Sequence, residues 1–447
     1  MKEAHNFTEG KIYGPMVGFA IPVLAALFLQ TMYGAVDLLV VGQFAGAGDV
    51  SGVSTGSWLM QLVTSFVVGI SMGITVMLGQ KIGEKKPKEA GEIMGAGVWL
   101  LLLIGIVITI LMEVFAVPIA RIMQTPEEAF GATLSYVRIC SAGALFIVAY
   151  NVLGSIFRGM GDSKMPLITV AIACVVNIGG DLLLVAVLGM GAAGAAIATI
   201  AAQAISVVIS LFIISKKTLP FEVGKKHFSW NPKQMGAIFK LGFPIALQDV
   251  LVSISFLTIT AIVNSLGVVI SAGVGVAEKL CGFVMLVPSA FSQTMAAFVS
   301  QNVGAGRKDR ARKGLVYGMA TSFAVGVVMA YISFFHGDLL SALFARDPEV
   351  IAASAEYLKA YAIDCLLVSF MFCMVGYFNG CGKTTFVMLQ GIAGAFGVRI
   401  PVSFLMSRLK PVSLFKIGLA TPCSSFVQIL FCLAYFYILS RREKKEE

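Results

Sequence analysis

The chain is short of charge. Only 13% of its 447 residues are Asp, Glu, Lys or Arg, against about 25% in soluble domains. With 58% hydrophobic residues it has more apolar surface than one soluble core can hide, so the bilayer is the expected solvent. The eight cysteines include no Cys-x-x-Cys pair. Seven lie in apolar runs and Cys381 at the end of one, which argues against redox or zinc chemistry and leaves them as small buried hydrophobes. A cleavable leader is not expected either. The stretch 1–13 is polar, and the apolar run after it is too long for a signal core and has no clear small-residue cleavage site.

A nucleotide site is also missing. Gly-Cys-Gly-Lys-Thr-Thr at 380–385 looks like the end of a phosphate-binding loop, but the glycine required five residues before Gly382 is Tyr377. No strand precedes it, and it falls at the end of an apolar run. No ATP hydrolysis, and no other enzymatic activity, is expected.

What the chain does have, it has twice. Gln-Lys-Ile-Gly at 80–83 returns as Gln-Asn-Val-Gly at 301–304, and Gly-Met-Gly at 159–161 as Gly-Cys-Gly at 380–382. Gly46 pairs with Gly267, Tyr136 with Tyr357, and Arg138 with Lys359, always 221 residues apart. A constant offset held over such a distance marks an internal duplication.

Twelve stretches are long and apolar enough to span a bilayer, six in each half: about 15–42, 52–79, 91–117, 131–157, 164–188, 191–215, 236–265, 272–302, 313–337, 353–379, 384–408 and 414–440. The reading is an all-α polytopic membrane protein with an N-terminal half (1–215), a polar linker (216–235) and a C-terminal half (236–447). An even number of spans per half makes these parallel repeats, as in many secondary transporters.

The net charge of +9 is confined to short segments, which fits membrane topology rather than nucleic acid. Of the 33 basic residues, 24 fall on one side: Lys2 and Lys11, the loops at 81–88 and 307–313, the turns with Arg158, Lys164 and Lys383, the linker with Lys240 just after it, and the tail. The other side has Arg121, Arg346, Arg408 and Lys410. The positive-inside rule then places both termini in the cytoplasm.

Ionisable residues inside spans demand an explanation, because a charge at mid-membrane costs about 2.5–3.5 kcal/mol on insertion scales. Those clearly inside spans are Asp37, Asp181, Asp249, Glu278, Lys279, Asp364 and Arg399. Tyr33 stands four residues before Asp37, Asn177 four before Asp181, and Thr199 four before Gln203, so each pair shares a helical face. If those faces converge, they build a hydrated pocket with two carboxyls suited to proton exchange. The bland alternative is helix packing through hydrogen bonds.

Positions 221 after the two acids are Thr258 and Val402, so this chemistry is expected in one half only. In the other half, Asp249 is either an interfacial cap or a ligand. Glu278 and Lys279 point to different faces. Lys279 is placed to pair with Asp364, as a structural bridge or a cavity charge, and Arg399 either joins that network or snorkels. Pro22 in the first span is a candidate hinge, and Pro288 lies midway along the eighth. The 21 Met and 32 Phe leave a minority free to line a soft cavity for organic cations.

With these residues in view, the chain resembles the multidrug and toxic compound extrusion (MATE) family over its whole length. The resemblance rests on the duplication, Ile21-Pro22 and Asp37 in the first span, and Gly79-Gln80-x-x-Gly83 after the second. Arg158-Gly-x-Gly-Asp162 after the fourth and Asn177-x-x-x-Asp181 in the fifth complete it. It implies two pseudo-symmetric six-helix lobes around a central cleft, and cation-driven export of amphipathic, often cationic compounds. It implies coupling at Tyr33, Asp37, Asn177, Asp181 and Thr199, by protons, with sodium at Asp37 and Asp181 as the other candidate ion. The family branch with a glutamate in the seventh span is not matched, since that place is Val252. No cofactor beyond the coupling ion is implied. The expected partners are small molecules and the lipid of a plasma membrane, with the chain a monomer. The alternative is a flippase of a lipid-linked precursor.

Overall fold

A computed structural model describes residues 7–446. Lys2 and the side chains of Lys225, Lys444 and Lys445, used in the charge census, lie outside what is described. The described residues form helices and no strand. In chain order these are α1 (Tyr13–Phe44), α2 (Ala47–Gly83), α3 (Pro87–Ile122), α4 (Glu127–Ala142), α5 (Ala144–Gly159), α6 (Lys164–Asp181) and α7 (Gly191–Lys216). After the linker come α8 (Pro232–Asn264), α9 (Val268–Val284), α10 (Leu286–Gly304), α11 (Lys308–Phe335), α12 (Gly337–Ala342) and α13 (Pro348–Gly380). The chain ends with α14 (Thr384–Gly394), α15 (Ile400–Arg408), α16 (Leu414–Gly418) and α17 (Ala420–Glu446). Two π-helical turns interrupt the pattern: Leu182–Val187 continues α6, and Ala395–Arg399 joins α14 to α15.

Eleven of these segments are long and apolar enough to cross a membrane, and α4 with α5, bent by 54°, makes a twelfth. The twelve expected spans are therefore all present. The fourth bends at Gly143, whose missing Cβ leaves room for the Ile200 side chain of α7. The eighth differs from expectation. It breaks between α9 and α10, and Pro288 sits in the first turn of α10, where its missing N–H costs no hydrogen bond. Pro22 breaks nothing, as α1 runs through it as one helix.

Helix ends follow the sequence. The Asp162 side chain accepts the backbone N–H groups of Lys164 (3.0 Å) and Met165 (3.2 Å) at the start of α6. Asp347 accepts that of Glu349 (2.9 Å) ahead of Pro348 in α13. Gly161 and Gly382, equivalent in the repeat, both have left-handed φ, +79° and +72°. Only glycine adopts that geometry without strain, so the turn itself accounts for the repeated Gly-x-Gly.

Contacts divide the chain into two units. The first contains residues 17–246 with 300–306, and the second contains 247–299 with 307–447 and the short stretch 11–16. In the first unit α2 is the central helix. It packs on α3, α4, α5 and α7 and buries Val67, Ile70, Ile74 and Leu78 completely. In the second unit that role falls to α13, packed on α9, α11 and α17. By contrast, α3 exposes Leu103, Val107, Ile110, Leu111 and Val114, an apolar face of the kind lipid covers.

Candidate functional site

In the first unit three helices bring their polar faces together. Along α1, Gln30, Tyr33 and Asp37 recur every three or four residues and share one face. Asn177 and Asp181 come from α6, and Thr199 and Gln203 from α7. Thr199 Oγ1 donates to Asp37 Oδ2 at 3.1 Å, and Asn177 Nδ2 approaches Thr199 Oγ1 at 3.4 Å. Asn177 also reaches Asp37, and the Asp37 and Asp181 carboxyls meet. Tyr33 closes the group through Gln203.

This is the convergence expected from the spacing, and it is deeply buried. Asp181, Asn177 and Asp37 are 0%, 1% and 4% exposed. Yet Asp37 Oδ1, Asn177 Oδ1 and both Asp181 oxygens have no N–H or O–H donor from the protein. Buried oxygens left in that condition are costly, and a proton or a positive charge would relieve that cost. Its oxygen set, two carboxyls with an amide and a hydroxyl, suits either a proton or a small hard cation.

Three neighbours were not foreseen. Tyr136 of α4, noticed only as a repeat marker, is buried near Asp37 and accepts a hydrogen bond from Ser57 Oγ at 3.0 Å. Gln30 Nε2 donates to Tyr150 Oη at 3.1 Å. Gln30 was legible, because it continues the α1 face. Tyr150 was not, because which way α5 turns depends on the bend at Gly143.

The charges of the second unit sort differently from expectation. Lys279 is exposed and makes no ion pair with Asp364; Asp364 instead faces Ser425, with Arg399 near enough to act on it electrostatically. Arg399 is 5% exposed and does not snorkel. Its Nη1 donates to Ser255 Oγ at 3.0 Å, and the guanidinium lies 4.4 Å from the Phe256 ring centroid. Glu278 accepts from Thr260 Oγ1 at 3.2 Å. Asp249 sits on an exposed face of α8.

Duplicated helical units with ionisable groups buried in their spans are the architecture of many membrane transporters. The comparisons with known proteins agree. The sequence model of the MatE family matches twice, over residues 22–183 and 244–405, and the chain belongs to that family. It is thus a transporter and not an enzyme.

Among its relatives is the probable multidrug resistance protein YoeA of Bacillus subtilis (strain 168), 24% identical, the alignment spanning 98% of this chain and 96% of that protein. Another is the probable multidrug resistance protein YpnP of the same organism, 28% identical over 91% of each. A crystal structure of MATE in complex with MaL6 superposes with a TM-score of 0.93 over the whole of both chains at 18% identity, which shows the shared fold.

The double match also corrects the register of the repeat. Both matches begin on a proline, Pro22 and Pro244, and at each end the two are 222 residues apart. Because α1 and α8 are unbroken past those prolines, Asp37 corresponds to Ile259 rather than Thr258. At the other end Asp181 corresponds to Ser403 rather than Val402. The absence of equivalent acids stands.

Proposed function

We propose that the chain is a proton-coupled antiporter that exports amphipathic, often cationic small molecules across the plasma membrane. The observation that carries this reading is the Asp37–Asp181 pair. Two carboxyls buried against each other cannot both stay ionised, so a proton on one of them relieves the repulsion, and a second proton removes the remaining charge. The pair is therefore a proton store whose occupancy changes the polarity of the pocket. Tyr33, Asn177, Thr199 and Gln203 hold it in place.

In the cycle, protons enter the pair from outside and disfavour a bound organic cation. They leave toward the inside, where the next substrate binds. One charge moved across 100 mV supplies about 2.3 kcal/mol, so one or two protons drive a modest gradient. Sodium at Asp37 and Asp181 is the competing coupling ion. The multidrug names of YoeA and YpnP support the substrate class. The crowding of lysine and arginine on one side supports cytoplasmic termini. On this reading the chain works as a monomer.

The test is transport by Asp37→Asn in proteoliposomes, with substrate-dependent pH change measured with and without sodium. The variant should fold and lose proton-driven efflux. Undiminished efflux refutes the assignment, and a sodium gradient that replaces the proton gradient in the unaltered protein moves the coupling to sodium.

A further inference from the structure

The second unit contains the counterpart of the acid cluster, altered in charge. In the 222-residue register, Tyr33 corresponds to Ser255, Asn177 to Arg399 and Asp181 to Ser403. Ala198-Thr199 against Ala420-Thr421 carries the register into the last span, pairing Gln203 with Ser425. These counterparts are buried: Ser255, Ser403, Thr421 and Ser425 are all 2% exposed or less. The hydrogen bond from Arg399 to Ser255 thus joins the counterparts of Asn177 and Tyr33. Two acids have gone, and a guanidinium has entered at the amide position.

The π turn makes this possible. It inserts one residue between the Gly382 turn, where the offset is 221, and Ser403, where it is 222. Arg399 is the last residue of that turn, where π geometry often marks a functional position.

A buried guanidinium needs a counter-charge. The titratable groups around it are Asp364, Tyr361 and Tyr357, with Glu278 beyond Tyr357. Asp364 is 1% exposed, and it stands at the repeat position of Gly143, where the first half bends and carries no acid. Neither Asp364 oxygen has a completed hydrogen bond, and Arg399 Nε, Ser403 Oγ, Thr421 Oγ1 and Ser425 Oγ are also without one. The Asp364 carboxyl thus has Arg399 as its nearby positive charge, held off it by the Ser255 and Phe256 contacts.

We propose that Arg399 is a tethered cation that takes, in the second half, the place the exchanged cation takes in the first, so that the second site is permanently loaded and coupling runs through the first half alone. The proposal rests on the antiport reading, but its test does not. With Arg399 replaced by a neutral side chain, Asp364 must find its positive charge in solution.

The experiment is thermal unfolding of the purified full chain, without substrate, at pH 5 to 8 in sodium chloride or choline chloride. The unaltered protein and Arg399→Lys should show the same dependence on pH and sodium, that of the first-half acids. Arg399→Gln should unfold several degrees lower at pH 8 in choline chloride and recover on acidification or addition of sodium. Adding Asp364→Asn to Arg399→Gln should abolish that dependence and restore much of the loss. An Arg399→Gln no more cation-dependent than the unaltered protein overturns the proposal, as does an added dependence that survives Asp364→Asn. If Arg399→Gln does not fold, the double variant decides: folding supports the pairing, and failure to fold overturns it. Repeating the series in Asp37→Asn separates the two readings, because the new dependence belongs to the second half and should persist there.

Discussion

Gly83 and Gly304 are packed reciprocally. A Cβ on Gly83 would collide with the backbone carbonyl of Gln301, and one on Gly304 with that of Gln80. Residues 300–306 belong to the first unit, so the repeated Gln-x-x-Gly motifs meet at the ends of α2 and α10. Gln301 Nε2 adds a hydrogen bond to the Gly159 carbonyl at 2.9 Å. The motif is thus a packing device, like the small-residue crossings of other membrane helices. Gly83→Ala or Gly304→Ala should destabilise the protein by about 1–3 kcal/mol, the usual cost of overpacking. Gly131→Ala, where nothing lies within 4 Å of the new Cβ, should be neutral or slightly stabilising. Unfolding temperatures in one detergent compare the three.

The acid pair makes a prediction about additivity. If Asp37 and Asp181 work as one proton store, removing either carboxyl removes the store. Asp181→Asn should then abolish proton-driven efflux as fully as Asp37→Asn, and the double variant should be no worse than either. Efflux rates in proteoliposomes measure this. Independent multiplicative losses would mean two separate sites.

How much of this was legible depends on what each feature needs. The spans were legible because the bilayer imposes length and apolarity on each one separately. The repeat was legible in its turns, where Gly161 and Gly382 need the same rare backbone angle. In the span that carries Asp181 its register slipped by one, because the π turn of the second half adds a residue without leaving a trace in hydropathy; between Pro22 and Gly46 it slipped with no π turn, since α1 and α8 are plain α-helices. The acid cluster was legible because i, i+4 spacing fixes a face. The Lys279–Asp364 pairing was read wrongly because spacing cannot tell which face of α9 meets α13. The hydroxyls around Arg399 were passed over because serine and threonine in a greasy span carry no signal until the helices are packed.

Glu84 gives a pH prediction outside the membrane. It bonds Lys81 at 2.8 Å and Lys86 at 2.9 Å. Partial burial pushes its pKa up, but the two lysines outweigh that and hold it below the ordinary glutamate value of 4.5. A depressed folded pKa means the stabilisation is complete above the unfolded value and is lost as pH falls through the folded one. Glu84→Gln should therefore lower the unfolding temperature slightly at pH 7, by no more than the ~0.2–1 kcal/mol typical of exposed pairs. The difference from the unaltered protein should shrink below pH 4.5 and in high salt. A deficit that persists in acid would point to packing instead.

The linker is strapped to the first unit rather than free. Lys217 at its start is ion-paired with Asp162, the residue that caps α6. Glu222 N donates to the Pro87 carbonyl at 3.2 Å, and Trp99 Nε1 donates to the Phe228 carbonyl at 2.7 Å, with Trp230 edge-on to Trp99. Gly91 and Gly95 let the strap lie directly on α3, since a Cβ on either would strike the carbonyl of Glu222 or His227. Gly95→Ala should lift the strap, and Trp99→Phe should loosen it by removing one hydrogen bond, worth about 0.5–1.5 kcal/mol. Limited trypsin digestion reads this out, because cleavage after Lys217 or Lys226 requires the segment to leave α3. Both variants should be cut faster than the unaltered protein, Gly95→Ala more so, while cleavage at Arg441 and Arg442 in the tail provides the internal control. Equal rates at the linker would mean that the segment detaches on its own and that these contacts do not hold it.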